Sequence, residues 1–240
     1  MPHNVTILGA DLSPTSSGLV KFILDDNLDI IDIKKLGFCA YEVPKKKAFK
    51  VPNYKDIISY DKSKYDFFNR TIMMTEHIFE FIKDVDYAII EDYAFSGNGD
   101  ITQLSEFCSQ VKFQLIRQGT KVRLISPTQT KQFAGRYDNH KPEMYDYFIS
   151  VNLFDISDLP IIPTHIRGKF VGLRDKDGIS PTSDICDSGI MCLLLHKELL
   201  VRNEKATLES LDKNHSHVLT HVTKNNKIPL IRRDFIQKNV

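Results

Sequence analysis

The sequence contains little cysteine, and none of its four cysteines forms a C-x-x-C pair. A disulfide-stapled fold is therefore not expected, and a C-x-x-C redox or metal motif is excluded. We expect buried thiols in a reducing compartment, at Cys39, Cys108, Cys186 and Cys192.

Long hydrophobic runs are also missing. The longest apolar run, Ile190–Leu195, is far shorter than the roughly 20 residues that span a bilayer. The first three residues lead directly into a strand-like segment, so we expect no signal peptide. The sequence predicts a soluble protein of the cytoplasm, or of the host cytoplasm if the protein is viral.

A strong net charge is absent as well, because 32 Lys and Arg nearly balance 31 Asp and Glu, for a formal net charge of +1. The distribution is nevertheless uneven, since seven basic residues between Lys112 and Lys141 face a single acid, Asp138. A second basic cluster lies at residues 45–50. This asymmetry is typical of a basic face for nucleic acid, although solvated helix faces produce the same pattern.

The chain shows no internal repeat or low-complexity block, and its 240 residues suit one domain. Three strands come first, in a hairpin arrangement, and strands then alternate with helices. This order predicts an α/β fold with a mixed five-stranded sheet flanked by helices. The predicted strands are Val5–Ala10, Leu19–Leu24, Leu28–Leu36, Tyr87–Ile90 and Val122–Ile125. The predicted helices are Asp61–Lys83, Ile101–Gln118, Pro127–Ala134, Pro142–Phe154 and Thr182–Val201.

Three segments fall outside this pattern. Residues 37–60 are rich in Lys and Pro and are predicted to be irregular. Residues 155–181 carry prolines and glycines and are predicted to form a long loop or small insertion. The domain is expected to cover residues 1–201, with a basic C-terminal extension at 202–240. The apolar face of the first helix is predicted from three- and four-residue steps at Tyr65, Phe68, Ile72, Thr75, Phe79 and Ile82.

Acidic residues follow two of the predicted central strands. Asp11 ends the first strand and Glu91 ends the fourth, and functional groups of open α/β sheets gather beyond the carboxyl ends of strands. Asp184 and Asp187 share a face at the start of the last helix. Neighbouring carboxylates need a positive charge between them, and Mg²⁺ prefers oxygen ligands. The pattern predicts a site for Mg²⁺, with Mn²⁺ as a substitute.

Four carboxylates suit two metal ions about 4 Å apart, the arrangement used for phosphodiester cleavage. One ion would activate the attacking water and the other would stabilise the leaving 3′ oxygen. Each acid also has a simpler interpretation, since Asp11 suits a turn and Asp184 and Asp187 suit the first turn of a helix. Asp92 alternates with Glu91 along the strand, so it is expected to point to the other face.

These residues resemble the motifs of RuvC-type Holliday junction resolvases. The segment Ile7–Gly18 is similar to the family's first-strand motif G-I-D-P-G, and Ala88–Glu91 looks like its A-I-E. Ser183–Gly189 resembles its closing A-D-A-x-D-A-L. The ordered set covers roughly residues 5–200. The resemblance implies an RNase H-like fold, cleavage of four-way DNA junctions, and a catalytic metal-binding tetrad of Asp11, Glu91, Asp184 and Asp187.

The resemblance also implies contacts with DNA. Pro127–Lys131 is similar to the segment after the family's fifth strand, and Asn139–Lys141 resembles its G-x-x-x-K loop. Lys131 and Lys141 would then approach the scissile phosphate, with Lys141 in a catalytic role. The family often stacks an aromatic residue on unpaired bases, and here Phe95, more than Tyr93, is favoured. Core packing and solvated lysines are the alternatives.

Family members act as homodimers, and Ile101–Gln118 would be the dimer-forming helix. The chain departs from the family in three places: it has no glycine after Asp11-Leu12, its insertion at 155–181 is long, and it has a tail. These features are more similar to phage or other viral relatives. Further phosphate contacts are predicted for the basic residues Arg136, Arg167, Lys169, Arg174 and Lys176.

Other functions remain open at this point. The Asp11–Gly18 segment also suits the phosphate loop of an actin-like or sugar-kinase-like ATPase, but a second glycine-rich nucleotide loop is not visible. A branched-DNA-binding protein that does not cut would need a broken tetrad, whereas a broader flap or fork nuclease cannot be separated from a junction resolvase. The tail motif H-x-H-x-x-x-H suggests zinc but has no evident fourth ligand; its residues are His215, His217 and His221.

Overall fold

A mixed sheet of six strands forms the centre of the protein. The computed structural model describes residues 4–41, 55–92, 101–135, 147–148, 150–155, 159, 161–166, 169–175, 181–222 and 227–238. The central strands are β1 (Val5–Asp11), β2 (Gly18–Leu24), β3 (Ile30–Tyr41), β4 (Ile57–Asp61), β5 (Tyr87–Glu91) and β6 (Lys121–Ile125). A separate two-stranded sheet contains β7 (Ile161–Ile166) and β8 (Lys169–Asp175).

Five α-helices accompany the strands in the described part of the chain: α1 (Phe67–Phe81), α2 (Ile101–Arg117), α3 (Pro127–Phe133), α4 (Thr182–Arg202) and α5 (Lys213–Thr220). Short 3₁₀ turns lie at Lys62–Lys64, Leu208–Ser210 and Leu230–Arg232. Two of these helices begin at a capping side chain. Asp66 caps α1, and Ser126 caps α3 through a capping box with Gln129.

The strand order across the sheet is β4-β3-β2-β1-β5-β6. β1, β2 and β3 pair antiparallel, whereas β5 lies parallel to β1 and β6 lies parallel to β5. The predicted α/β class, a mixed sheet flanked by helices, is confirmed. The predicted strand number was one too low, because β4 adds a sixth strand parallel to the end of β3.

The extra strand lies in the stretch predicted to be irregular. Residues Phe38 and Cys39 extend β3 and are fully buried, and Tyr60 of β4 is 4% exposed. These apolar positions pack well on a sheet, but lysines and prolines surround them in the sequence and hide the strand pattern.

Helices cover both faces of the sheet. Ile7 of β1 packs in one core with Ile185 and Ile190 of α4, whereas its neighbour Leu8 packs in the other with Met74 of α1 and Val111 of α2. We call these the α4 face and the α1–α2 face. The alternation follows from the two-residue period of a strand. β1 is therefore buried on both faces. Polar residues at its carboxyl end lie beside this core, where functional groups of α/β sheets usually gather.

The predicted apolar face of α1 was partly wrong. The buried positions are Thr71, Met74, Thr75 and Ile78, and the side chains of Phe68 and Ile72 are 71% and 55% exposed. The three- and four-residue spacing fits two neighbouring stripes of the helix. The stripe that packs on the sheet is shifted by about one position from the predicted one.

The segment predicted as a loop or small insertion contains an antiparallel hairpin, since Ile161 pairs with Asp175 and Ile166 pairs with Lys169. The residues after α4 also have a defined place, because Val218, Leu219 and Leu230 are buried in the core of the α4 face. No helix in the described ranges is long and apolar enough to cross a membrane.

Gly9 allows α4 to lie directly on β1. A Cβ atom at this position would lie 2.0 Å from the Ser188 carbonyl oxygen and 2.8 Å from the Cys192 nitrogen. Both atoms belong to the helix backbone, so a side-chain rotation cannot relieve the clash. We predict that Gly9→Ala lowers the free energy of unfolding by about 3 kcal/mol or more, because α4 must move away from the sheet.

Chemical denaturation measures this change, with Gly119→Ala as the control. Gly119 has open space around its Cβ direction but a φ of +94°, so its substitution should cost only about 1 kcal/mol. Equal losses for the two variants would contradict the close helix–strand contact.

Candidate functional site

Two acidic residues meet where β1 and β5 end. These strands run parallel with Ala10 opposite Ile90, so the next residues, Asp11 and Glu91, lie at neighbouring strand ends. Ile7 and Ile89 pack on the α4 face, and side chains alternate along a strand. Asp11 and Glu91 therefore project on that same face, and both are half-buried.

The start of α4 brings a third acid to this edge. Gly18 is the antiparallel partner of Asp11. A Cβ atom on Gly18 would lie 2.2 Å from the carbonyl carbon of Asp184 and 2.3 Å from the nitrogen of Ile185. The helix backbone at Asp184 thus lies against the residue beside Asp11, and only glycine permits this approach. Asp187 follows three residues later and is half-buried.

Ser188 ties α4 to the ends of both strands. Its Oγ accepts a hydrogen bond from the Asp11 backbone nitrogen at 2.8 Å and donates one to the Gly18 carbonyl oxygen at 2.7 Å. The side chain is fully buried. The position of Asp11 relative to Asp184 and Asp187 is therefore set by a specific polar contact as well as by packing.

The loop between β1 and β2 supplies a partner for one carboxylate. Ser16 donates its hydroxyl hydrogen to Oδ2 of Asp184, and Ser183 Oγ lies 3.3 Å from Oδ1. Tyr60 of β4 holds this loop by donating to the Thr15 carbonyl oxygen at 2.8 Å. Burial raises the pKa of Tyr60 to about 12, so the phenol stays protonated and keeps this bond at neutral pH.

Cys108 of α2 lies on the other side of the same strand end, with its Sγ 3.7 Å from the Leu12 carbonyl oxygen. Burial raises the pKa of this thiol to about 12, and the nearby charge of Asp11 acts in the same direction. Lys112 acts in the opposite direction, but burial has the larger effect, so the thiol form of Cys108 is favoured at neutral pH.

The donor chemistry of the four acids fits a hard divalent cation, because every ligand is a carboxylate oxygen. The backbone arrangement fits as well. The side chains are not grouped around a common point, since among the described residues no three His, Cys, Asp or Glu side chains are arranged to hold one metal ion. Asp184 is engaged by serine hydroxyls instead, so metal binding would require side-chain reorientation there. The predicted ligand set remains a prediction.

Asp92 belongs to the opposite side of the sheet. Its Oδ1 lies 3.7 Å from Nζ of Lys112, which is on α2. The prediction that Asp92 points away from Glu91 is confirmed. The reason is the alternation of the strand, which sends neighbouring residues to opposite faces.

The predicted DNA contacts are only partly described. Lys131 is half-buried on α3, which begins directly after β6 and so lies at the same end of the sheet as Glu91. Lys169 opens β8. The other predicted contacts lie outside the described residues: Tyr93, Phe95, Arg136, Lys141, Arg167 and Lys176. These roles stay predictions.

The three tail histidines do not come together. His215 is buried against α3, with its ring stacked on Phe133 at 3.9 Å and its Nε2 2.7 Å from the Tyr147 hydroxyl. Burial lowers the pKa of His215, which favours the neutral ring. His217 and His221 stack on each other at 4.6 Å, one helical turn apart. His215 therefore has a packing role, and zinc binding by the trio has no support in the described part of the chain.

Reasoning from the sequence missed three residues of this site: Ser16, Ser188 and Tyr60. The hydroxyl-rich Ser13–Ser17 segment was visible, but its contact with α4 depends on residues 168 positions apart. Nothing in the sequence marked Ser188, which looks like an ordinary small residue of a packed helix.

Together, fold and site define an α/β protein with a mixed six-stranded sheet and acidic residues at the ends of its central strands. No family model and no curated protein matches the sequence. Similar folds occur among solved structures. A Thermus thermophilus RuvC structure is 13% identical, with a TM-score of 0.47, covering 83% of this chain and 97% of that one.

Two further solved structures are similar. T. thermophilus RuvC in complex with a Holliday junction substrate is 12% identical, covers 79% of this chain and 91% of that one, and has a TM-score of 0.48. The fowlpox virus Holliday junction resolvase is 15% identical, covers 80% and 99%, and has a TM-score of 0.42. All three scores lie below 0.5, so the site stands on the geometry of this chain.

Ser188 provides a test of the site's construction. We predict that Ser188→Ala lowers the free energy of unfolding by about 1–3 kcal/mol, because the buried Asp11 nitrogen and Gly18 oxygen both lose their partner. The matched control is Ser150→Ala, which removes an exposed hydroxyl bonded to the Tyr147 carbonyl and should cost less than about 0.5 kcal/mol. Urea denaturation compares the two. If the losses are the same, Ser188 does not anchor the strand ends.

Proposed function

We propose that this protein is a metal-dependent endonuclease that cuts branched DNA, with four-way junctions as its main substrate. The observation that carries the proposal is that the backbones of Asp11, Glu91 and Asp184, from three distant parts of the chain, lie at one edge of the sheet. They lie on one face at the ends of β1 and β5 and at the start of α4. Carboxylates held at one edge supply the oxygen ligands that a hard divalent cation prefers.

Asp11, Glu91, Asp184 and Asp187 would hold one or two divalent cations, Mg²⁺ with Mn²⁺ as a substitute. Such ions supply activation of water and stabilisation of a leaving oxygen in phosphodiester hydrolysis. The protein's own residues orient these ligands: Ser188 fixes the Asp11 backbone, and Ser16 bonds Asp184. The neutral Cys108 makes a thiol nucleophile at this edge unsuitable.

The substrate class rests on the ordered motifs around Asp11, Glu91 and Asp184–Asp187 and on the basic stretch between Lys112 and Lys141. Lys131 and Lys141 would bind phosphates beside the scissile bond, and Tyr93 or Phe95 would stack on unpaired bases. The hairpin β7–β8 ends at Asp175, shortly before α4 begins at Thr182. Arg167 and Lys169 would add phosphate contacts in this part of the chain. We also propose a viral origin and a cytoplasmic location. The location agrees with the four cysteines, which are buried free thiols, as is usual in a reducing compartment.

The first test is Asp11→Asn. We expect this variant to cut a synthetic four-way junction in Mg²⁺ at least about 100-fold more slowly, because loss of a metal ligand removes several kcal/mol of transition-state stabilisation. Binding of the junction should change little. Single-turnover cleavage and gel-shift binding are measured on the same preparations.

Asp26→Asn is the control, since it makes the same chemical change in an exposed turn between β2 and β3, at the far end of the sheet. The wild type is also tested on flap, fork and linear duplex DNA and in chelator. Cleavage by Asp11→Asn at the wild-type rate, or cleavage in chelator, would contradict the proposed site. Equal cutting of flaps and junctions would favour the broader branched-DNA nuclease.

We further propose that the protein acts as a homodimer through α2, because two sites related by a two-fold axis suit the two cleavage points of a junction. Phe113 of α2 supports this surface, since its side chain is 65% exposed although large apolar residues usually pack in cores or interfaces. An exposed aromatic residue of this kind is a suitable interface anchor.

Phe113→Glu is expected to convert the dimer to a monomer, because a charge in the interface core would lose its hydration. Light scattering after size exclusion measures the mass. The matched control is Phe68→Glu on α1, at a side chain that is 71% exposed. Dissociation by the α1 variant and not by the α2 variant would place the interface elsewhere.

A further inference from the structure

The last described residues run along the open edge of the sheet. Ile236 and Val122 of β6 exchange two backbone hydrogen bonds of 2.8 Å each, in an antiparallel bridge. Because the direction is antiparallel, the residues that precede Ile236 lie toward the carboxyl end of β6. This is the end at which Glu91 closes the neighbouring strand.

Two arginines hold this segment by its carbonyl groups. Arg123 of β6 is 1% exposed and donates to the carbonyl oxygens of Arg233 at 2.8 Å and Asp234 at 3.0 Å. Arg202 of α4 donates to the Arg233 carbonyl at 2.6 Å and to the Leu230 carbonyl at 3.2 Å. The carbonyl group of Arg233 is thus bound from both the sheet and the helix. These bonds fix the position of the backbone that carries the Arg233 side chain.

The charges around this segment do not balance. Arg123 and Arg202 share the fully buried carboxylate of Glu198, and Arg233 adds a third cation nearby. Burial lowers the pKa of the Arg233 guanidinium, and the positive charge of Arg123 lowers it further, which outweighs the opposite effect of Glu198. Asp92 and Asp234 line a cleft beside Arg233, and Lys112 pairs with Asp92. Four cations therefore face three carboxylates, and the remaining positive charge would be stabilised by an anion.

The cleft beside Arg233 is open and lies near the proposed catalytic edge. The cleft has a volume of about 260 Å³, and its polar lining consists of Asp92, Arg123, Ser126, Gln129, Arg233 and Asp234. Asp92 directly follows Glu91, and its charge is paired with Lys112. Arg233 is half-buried, and within the described residues its guanidinium donates one long hydrogen bond, 3.4 Å to the Ile228 carbonyl oxygen. The side chain is therefore accessible from the cleft.

We propose that Arg233 binds a backbone phosphate of the DNA strand that passes the carboxylate edge. The C-terminal segment would then form part of the DNA-binding surface. The inference rests on the proposed function for the identity of the anion, since DNA is the polyanion that reaches this edge. Arginine suits the role because its planar guanidinium binds two phosphate oxygens at once.

The test measures DNA binding without cleavage. Fluorescence anisotropy of a labelled four-way junction, in chelator and over a range of salt concentrations, is compared for the wild type, Arg233→Gln, Arg233→Lys and Lys238→Gln. Lys238 is exposed on the same segment but lies beyond Ile236, toward the amino end of β6. It is the matched control for loss of one charge.

We expect Arg233→Gln to weaken binding several-fold and to reduce the salt dependence by about one released counterion, a slope change of roughly 0.9. Arg233→Lys should retain most of the salt dependence, and Lys238→Gln should behave as the wild type. Unfolding midpoints are measured in parallel. Arg233→Gln should be as stable as the wild type or more stable, because the repulsion from Arg123 is removed.

Unchanged affinity and salt slope for Arg233→Gln would overturn the assignment, and so would an equal loss for Lys238→Gln. A wild type that binds the junction but does not cut it in Mg²⁺ contradicts the proposed nuclease function instead. In that case a selective loss of binding in Arg233→Gln still supports the phosphate contact.

Discussion

The structure depends on the direct contact of α4 with β1 and β2. Gly9 and Gly18 remove the side chains that would keep a helix at its usual distance from a sheet, and Ser188 replaces them with two buried hydrogen bonds. Backbone atoms of the helix therefore touch the ends of both strands. This contact fixes how far along β1 the helix begins, and so decides which helical residues face Asp11.

The same contact brings several negatively charged residues to the carboxyl ends of the strands, where they repel one another. Asp11, Glu91 and Asp184 lie on one face, half-buried, where the start of α4 meets the strand ends. Hydroxyl groups of Ser16 and Ser183 engage Asp184, which disperses some of the negative charge. A bound cation would do this more completely, and the need for one connects the packing of α4 with the proposed chemistry.

A second polar network joins the sheet to the chain end. Arg123, Glu198 and Arg202 are largely buried, and the aromatic ring of Phe235 lies 4.2 Å from the Arg123 guanidinium carbon and in contact with Tyr87. Because the arginines bind carbonyl groups of the C-terminal segment, the segment closes the edge of β6. A buried pair of this kind is costly to form but specific in its geometry. This geometry places Arg233 at the end of the sheet where β5 ends in Glu91.

The sequence alone determined the α/β class, most helix and strand positions, and Asp11, Glu91, Asp184 and Asp187 as candidate ligands. These features depend on local periodicity and on which residue types end a strand. Tertiary structure decided the sixth strand, the buried stripe of α1, the position of the C-terminal segment with Arg233, and the contacts of Ser16 and Ser188. Each of those depends on residues far apart in the chain, and local pattern carries no information about which distant backbone group a serine or an arginine will meet.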